Sequence, residues 1–353
     1  MTADSARPFL SAIVRTQGRR PRSLAEAVDS LRAQDDDDLE IVVVVHGDEA
    51  RRTATERELG DRVVAADALP PVRVVGVSGG GRARPLNAGM AAARGHYVAF
   101  LDDDDLARPD WVAAFRAGAA EAPDHLVRAA SETQHWRTDA DGQPLEPVDD
   151  PHREFPDTFD LLAHFARNLT PICSIALPLR AARDRGLEFA EELPVLEDWD
   201  LIMRAALDLG IVSVPRATSL YRRGNTGGSA SAADELSWAE AHAAVIARLD
   251  ARTVCLPPGS AQRLARAEFT TGGDTVHRGI VEERIAHDPG DERTRRLAAE
   301  LRHLEVRRER DVARLRAERD AERRLRIAYE TSPWWRATGP LRRLAAWVTR
   351  GRR

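Results

Sequence analysis

Lysine is absent from the 353 residues, and all 52 basic side chains are arginine. That absence excludes any mechanism built on a Schiff-base lysine or a phosphate-loop lysine. Cysteine is nearly absent: Cys173 and Cys255 stand far apart with no CxxC partner. A disulfide framework and a structural zinc-finger site are therefore not indicated. Aromatic residues make up only 5% of the chain. No apolar run approaches the roughly 18–20 residues that span a bilayer, and no basic segment followed by an apolar run opens the sequence. The expectation is a cytoplasmic protein.

The sequence does hold an ordinary share of hydrophobic residues, 43%, enough for a sizeable core. Its formal charge of -5 is unevenly spread. Residues 291–330 carry 13 Arg against 10 acids, and residues 331–353 carry six Arg and no acid, leaving the first 290 residues near -14. An acidic body does not suit nucleic acid, whereas the basic tail suits an anionic surface.

Strand and helix signals alternate through the first hundred residues. Phe9 to Val14 is a short apolar run. Ser23-Leu24-Ala25-Glu26 reads as a capping box, and Leu24, Ala27, Val28 and Leu31 form one helical face. Glu40 to Val45 and Val72 to Val77 read as buried strands. A helix over about Leu86 to Arg94 is expected to stop at Gly95. Tyr97 to Leu101 then forms a strand that delivers Asp102-Asp103-Asp104-Asp105 at its carboxyl end. Pro109 opens a helix with Trp111, Val112 and Phe115. Residues 138–156 read as a loop, Ile172 to Leu177 as β-like, Glu197 to Leu209 as a helix ended by Gly210, and Ile211 to Val214 as the last clear strand. This alternation predicts an α/β fold, a mostly parallel sheet with helices on both faces, followed by an α-helical extension. In such sheets ligands bind beyond the carboxyl ends of strands.

Two acidic motifs carry the chemistry. If the chain stays extended, Asp102 and Asp104 point to one side and can share an ion. Mg2+ or Mn2+ suits such oxygen ligands. The equally long run Asp35 to Asp38 lies before a strand and reads as a solvated loop. Glu197-Asp198, at the start of an apolar helix, either supplies a base for an acceptor hydroxyl or simply complements the helix dipole. The pairing of both motifs, about 95 residues apart, is more specific than either alone.

Over its first 230 or so residues the chain resembles glycosyltransferase family 2, inverting enzymes with a GT-A (Rossmann-like) fold. The resemblance lies in Ser11 to Thr16 with Arg19, Glu40 to Val45, Gly79 to Gly89, Ala92 to Asp105, Pro109-Asp110-Trp111, and Glu197 to Asp200 with Arg204. It implies that Thr16 and Arg19 line a nucleotide pocket and that Arg84 and Asn87 lie near the donor. It also implies that Asp102 and Asp104, with Asp103 between them, form the metal-diphosphate site and that Asp198 is the general base. The chain departs from the family pattern twice. Where an acidic pair often ends the second strand, Val45-His46-Gly47-Asp48 stands instead, leaving His46, Asp48 or neither to meet the base. Near the domain end Tyr221-Arg222-Arg223 lacks the usual following histidine, so Arg222 or Arg223 is expected at the diphosphate. The processive Gln-x-x-Arg-Trp signature is missing, which favours single additions.

The expected organisation is a catalytic domain over residues 1–235, a helical segment over 236–290, a long charged helix over 291–330 and a basic amphipathic tail over 331–353. Leu297, Leu301 and Leu304 give the long helix a heptad-like spacing suited either to solvent or to self-association. In the tail, Leu341, Leu344, Ala345 and Val348 share a helical face beside Trp and Arg, suiting either an anionic membrane surface such as the inner face of the plasma membrane or a helix docked on the protein's own body. Similar Ser-x-x-Trp-Arg tails occur on glycosyltransferases that build surface polysaccharides. The expected partners are a nucleotide-sugar donor and a glycan or lipid-linked hydroxyl acceptor. Two other readings stay open: a GT-A-like nucleotidylyltransferase, poorly matched by Arg15 to Arg20, and a catalytically silent scaffold.

Overall fold

The computed structural model describes residues 7–64, 70–140, 142–224 and 235–260. The expected long charged helix, the tail and the Gly/Ser-rich stretch 225–231 lie outside these residues. Nine strands form one sheet: β1 (Leu10–Thr16), β2 (Leu39–His46), β3 (Val72–Val77), β4 (Tyr97–Asp102), β5 (Leu106–Ala107), β6 (Leu126–Thr138), β7 (Pro144–Pro147), β8 (Ile175–Pro178) and β9 (Ile211–Gly224). Their order is β3-β2-β1-β4-β8-β6-β9-β5, with β7 paired to β6. The pairs β3-β2, β2-β1, β1-β4 and β6-β9 are parallel, and β8 runs antiparallel to both β4 and β6.

The nine helices among the described residues are α1 (Pro21–Arg32), α2 (Glu49–Leu59), α3 (Asp61–Val64), α4 (Ala83–Ala92), α5 (Trp111–Glu121), α6 (Leu161–Ala166), α7 (Leu179–Asp184), α8 (Glu197–Leu209) and α9 (Glu235–Asp250). Alternate residues of β1 and β2 feed two cores, as the period of a strand dictates. Ala12, Val14, Ile41 and Val43 pack beneath Leu24, Leu31, Trp111 and Phe115, so α1 and α5 cover one face. Ile13, Val42 and Val44 pack beneath Leu86, Met90, Leu201 and Ile202, so α4 and α8 cover the other. Gly89 permits close helix-sheet contact: a Cβ there would stand 2.4 Å from Ile13 Cγ2. A third cluster joins Trp199 and Met203 of α8 to Ala241, Val245 and Leu249 of α9. The helix-covered α/β sheet follows the alternating signals, and its architecture is the GT-A one that the resemblance implies. The expected mostly parallel sheet is in fact mixed, because β8, β7 and β5 pair antiparallel.

Several boundaries differ from expectation. Helix α1 begins at Pro21, and Ser23 is buried inside it, so no capping box forms. Proline's fixed φ starts the helix without a side-chain cap. Helix α4 covers 83–92 and is closed by Ala93, while Gly95 is needed because a Cβ there would lie 2.7 Å from the Ser11 amide nitrogen. Ile172–Ser174 form a short 3-10 turn before β8. The expected loop over 138–156 contains β7 as a hairpin with β6. Strand β9 runs ten residues past Val214, with register shifts against β6 that interrupt its pattern. The loop Asp35 to Asp38 is tied down, with Asp36 and Asp38 ion-paired to Arg116.

Candidate active site

Strands β1 and β4 lie side by side, and their neighbours β2 and β8 lead away in opposite directions. The crevice beyond their carboxyl ends is the place where such sheets bind ligands. Arg15, one residue before the end of β1, aligns with Asp102 at the end of β4. Its guanidinium grips Asp102 with two bonds, Nε to Oδ1 at 2.9 Å and Nη2 to Oδ2 at 2.8 Å. The remaining nitrogen, Nη1, donates to Glu197 Oε1 at 3.0 Å and to the Arg82 carbonyl at 3.1 Å. Arg82 Nε also reaches Glu197 Oε1, at 3.1 Å. One guanidinium thus ties the two acidic motifs together. Burial opposes the charge of Arg15, and the charges of Asp102 and Glu197 outweigh it, holding its pKa above the usual value.

After Asp102 the chain leaves the extended conformation in a turn closed by the Asp105 amide on the Asp102 carbonyl, 3.0 Å. The expectation of an extended Asp102-Asp104 pair is corrected accordingly. The turn sorts the four carboxylates: Asp102 and Asp104 stay partly open, 23% and 26% exposed, while Asp103 and Asp105 are buried. Asp103 accepts from Thr16 Oγ1 at 2.5 Å, and the Arg20 guanidinium bridges Asp103 and Asp104. Burial raises the Asp102 carboxyl, yet the charge and hydrogen bonds of Arg15 prevail and lower it. Burial pushes Asp103 up to about 7 against the pull of Arg20, and the charge of Asp104 adds to the rise. Asp105 accepts from the Arg222 amide at 2.9 Å, and burial lifts its carboxyl well above the usual range.

Asp198 lies in the first turn of α8, preceded by Leu196 at φ 63°. A left-handed leucine is costly, and such strain concentrates where side chains must be aimed. Asn168 Nδ2 donates to Asp198 Oδ2 at 3.1 Å, and the Trp199 amide donates to Oδ1 at 2.7 Å. Burial pushes this carboxyl up to about 7, assisted by the charge of Glu197 and opposed by the Trp199 amide and by Arg82 and Arg15. Below it, Trp199 Nε1 donates to the His164 carbonyl at 2.8 Å.

The other expected residues divide. Arg19 is exposed, and it is Arg20 that meets the acidic run. Gly18, at φ 65°, turns the chain just before them. Arg222 is buried, with Nη1 on Glu26 at 2.7 Å and Nε on the Asp104 carbonyl, which locks the turn in place. Arg223 pairs with Glu154 at 2.9 Å. Asn87 spends both ends of its amide on the Phe189 backbone, at 2.9 and 2.8 Å. Arg84 stands 3.5 Å from Glu191. His46 Nε2 meets the Gly79 carbonyl at 3.0 Å, and Asp48 caps α2 through the Arg51 amide at 2.8 Å. Sequence reasoning passed over Arg15, Arg20, Arg82 and Asn168 as partners of the acids; a basic residue at a strand end opposite a carboxylate was the available signal for Arg15.

Residues 11–174 match the family model described as glycosyl transferase family 2. The matched segment, just under half of the 353 residues, is similar to the family 2 glycosyltransferases. Among curated relatives, an uncharacterised glycosyltransferase of Nostoc sp. is 39% identical over 90 residues, 25% of this chain and 26% of that one. The succinoglycan biosynthesis protein ExoO of Rhizobium meliloti is 38% identical over 112 residues, 30% of this chain and 29% of that one. The matches therefore span under a third of these relatives. In fold the chain resembles the mannosyltransferase PcManGT of Pyrobaculum calidifontis, solved with GDP-Man and Mn2+. That likeness has a TM-score of 0.52 at 17% identity, covers 86% of this chain and 81% of that one, and bears on the fold. No helix among the described residues is long and apolar enough to cross a membrane.

Proposed function

We propose that the protein transfers a sugar from a nucleoside-diphosphate donor to a hydroxyl of a glycan or lipid-linked acceptor, with inversion at the anomeric carbon. The observation that carries this reading is Arg15, whose one guanidinium holds Asp102 and Glu197 together at the strand-end crevice. The family 2 match and a relative named for succinoglycan biosynthesis support assembly of a surface polysaccharide or glycoconjugate. A fold neighbour solved with GDP-Man and Mn2+ supports a nucleotide sugar and a divalent cation.

The acidic turn fits such a cation. Asp102 and Asp104 are the two solvent-reaching carboxylates of the four and offer only oxygen, the donor set preferred by Mg2+ and Mn2+. These two residues would hold the ion, which when bound neutralises charge on the departing diphosphate. Arg15 and Arg20 already compensate the same carboxylates, so they compete with a cation and complement phosphate oxygens. Thr16 and Asp103, joined at 2.5 Å, form the floor of the nucleotide end of the crevice. Asp198 accepts the proton of the acceptor hydroxyl as its oxygen bonds to the anomeric carbon. The bond from that carbon to the phosphate oxygen breaks, and the nucleoside diphosphate leaves on the opposite face.

A thermal-shift screen of nucleotide sugars with and without Mn2+ tests this reading. One donor is expected to raise Tm only with the metal, and Asp104→Ala is expected to abolish the rise. A donor shift of equal size in Asp104→Ala would count against the metal assignment, and no shift with any nucleotide sugar would count against the function.

A further inference from the structure

On the face of β6 opposite Trp136, three ligand-type side chains converge away from the acidic turn. His135 comes from β6, and Asp149 and His152 from the segment that returns along it after β7. Two reciprocal hydrogen bonds between Thr133 and His152, 2.8 and 3.0 Å, and one from the Val148 amide to the His135 carbonyl, 2.8 Å, fix that segment beside the strand. Asp149 reaches both rings through one oxygen. Its Oδ2 lies 2.6 Å from His135 Nδ1 and 3.8 Å from His152 Nδ1, and its Oδ1 accepts the His135 amide at 2.7 Å. The imidazoles stack with centroids 5.8 Å apart and planes 20° from parallel. One ligand atom from each residue falls within 4.8 Å of the others.

We propose that His135, Asp149 and His152 form a zinc site that staples the return segment to β6. Zinc at about 2.0–2.1 Å from three tetrahedral ligand atoms sets those atoms about 3.3 Å apart. The present 2.6 and 3.8 Å straddle that value, and the two imidazole nitrogens lie within 4.8 Å of each other. The ion displaces a 3.2 Å contact between His152 Nδ1 and the Asp150 carbonyl, or takes Nε2 instead. The side chains are 46%, 36% and 44% exposed, which leaves a fourth position for water. Two imidazoles with one carboxylate select zinc over Mg2+, unlike the all-oxygen acidic turn. The stapled hairpin carries Thr138 and Pro144, which with Trp136, Arg20, Asp104 and Arg222 line a recess of about 30 Å3. Zinc therefore fixes one wall of the recess beside the proposed metal-diphosphate site.

The test uses the full chain, tag-free and stripped of metal, titrated with Zn2+ against a chromogenic chelator in millimolar Mg2+. The wild type is expected to bind one more equivalent of zinc than His152→Ala or His135→Ala, each checked for a native circular-dichroism spectrum. Asp104→Ala is expected to bind as much as the wild type. In hydrogen exchange, zinc is expected to slow the amides of residues 148–152 in the wild type and not in His152→Ala. Equal zinc stoichiometry in wild type and His152→Ala would overturn the site, as would zinc binding that leaves those amides unprotected.

Discussion

A carboxylate base works only when ionised, so the elevated pKa of Asp198 fixes the pH range of the proposed reaction. Burial and Glu197 place it at about 7. With Asp198 as the base, kcat/KM is expected to rise with pH and level off above about 7. Asp198→Asn keeps the shape and removes the base, and transfer is expected to fall by about 10²–10⁴-fold with donor affinity little changed. Full transfer activity in that variant would remove Asp198 from the mechanism. Asn168 acts on the same carboxylate as a positioning residue. Its 3.1 Å bond favours the charged form, so Asn168→Ala is expected to move the pH midpoint upward. An unmoved midpoint with a lower kcat would assign Asn168 a structural part only.

The elements beneath Asp198 carry their own pH dependence. His164 of α6 is fully buried, bonded through Nε2 to Thr170 Oγ1 at 2.8 Å and through Nδ1 to the Asp160 carbonyl at 2.7 Å. Burial, aided by the charge of Arg128, lowers its pKa to about 4. The unfolded chain binds this proton from about pH 6.5 downward while the folded chain does not, so stability falls as pH drops from about 6.5 to 4. The loss is expected to reach about 3 kcal/mol, and His164→Gln is expected to flatten the pH dependence of Tm in that window. An unchanged slope would place the acid sensitivity elsewhere. Elements with unbroken apolar runs, such as β2, or a full helical face, such as α1, were legible in the sequence because burial on both faces or on one stripe leaves a period. Strand β9 was not, because Pro215, Arg216, Arg222 and Arg223 hide its second half and its partner β6 lies some 85 residues earlier. The acidic motifs and Thr16 were legible as strand ends and helix starts. Their cationic partners were not: the positive φ of Gly18 decides whether Arg19 or Arg20 turns inward, and no local pattern records that. That Asn87 and Asp48 hold backbone groups was not legible either, because an amide and a carboxylate serve backbone caps and substrates with the same atoms.

At the scale of the whole chain, charge is divided between an acidic body and an arginine-rich end. Residues 331–353 hold six Arg, no acid, and Trp334, Trp335 and Trp347. We propose that this segment brings the protein to an anionic membrane surface where a lipid-linked acceptor would reside. Each basic residue near such a surface is worth about 1 kcal/mol, and tryptophan adds interfacial affinity. The net charge near -14 of the first 290 residues opposes the same surface, so the body alone is expected to be repelled. Flotation with anionic and with neutral liposomes separates these contributions. The full chain is expected to float with anionic vesicles at low salt and much less at 1 M salt, where the Debye length shrinks to about 3 Å. A chain ending at Glu330 is expected to remain at the bottom in both. It keeps the mixed charges of residues 291–330, so floating as well as the full chain would move the contact away from the tail and leave its arginines to pair with the acidic body.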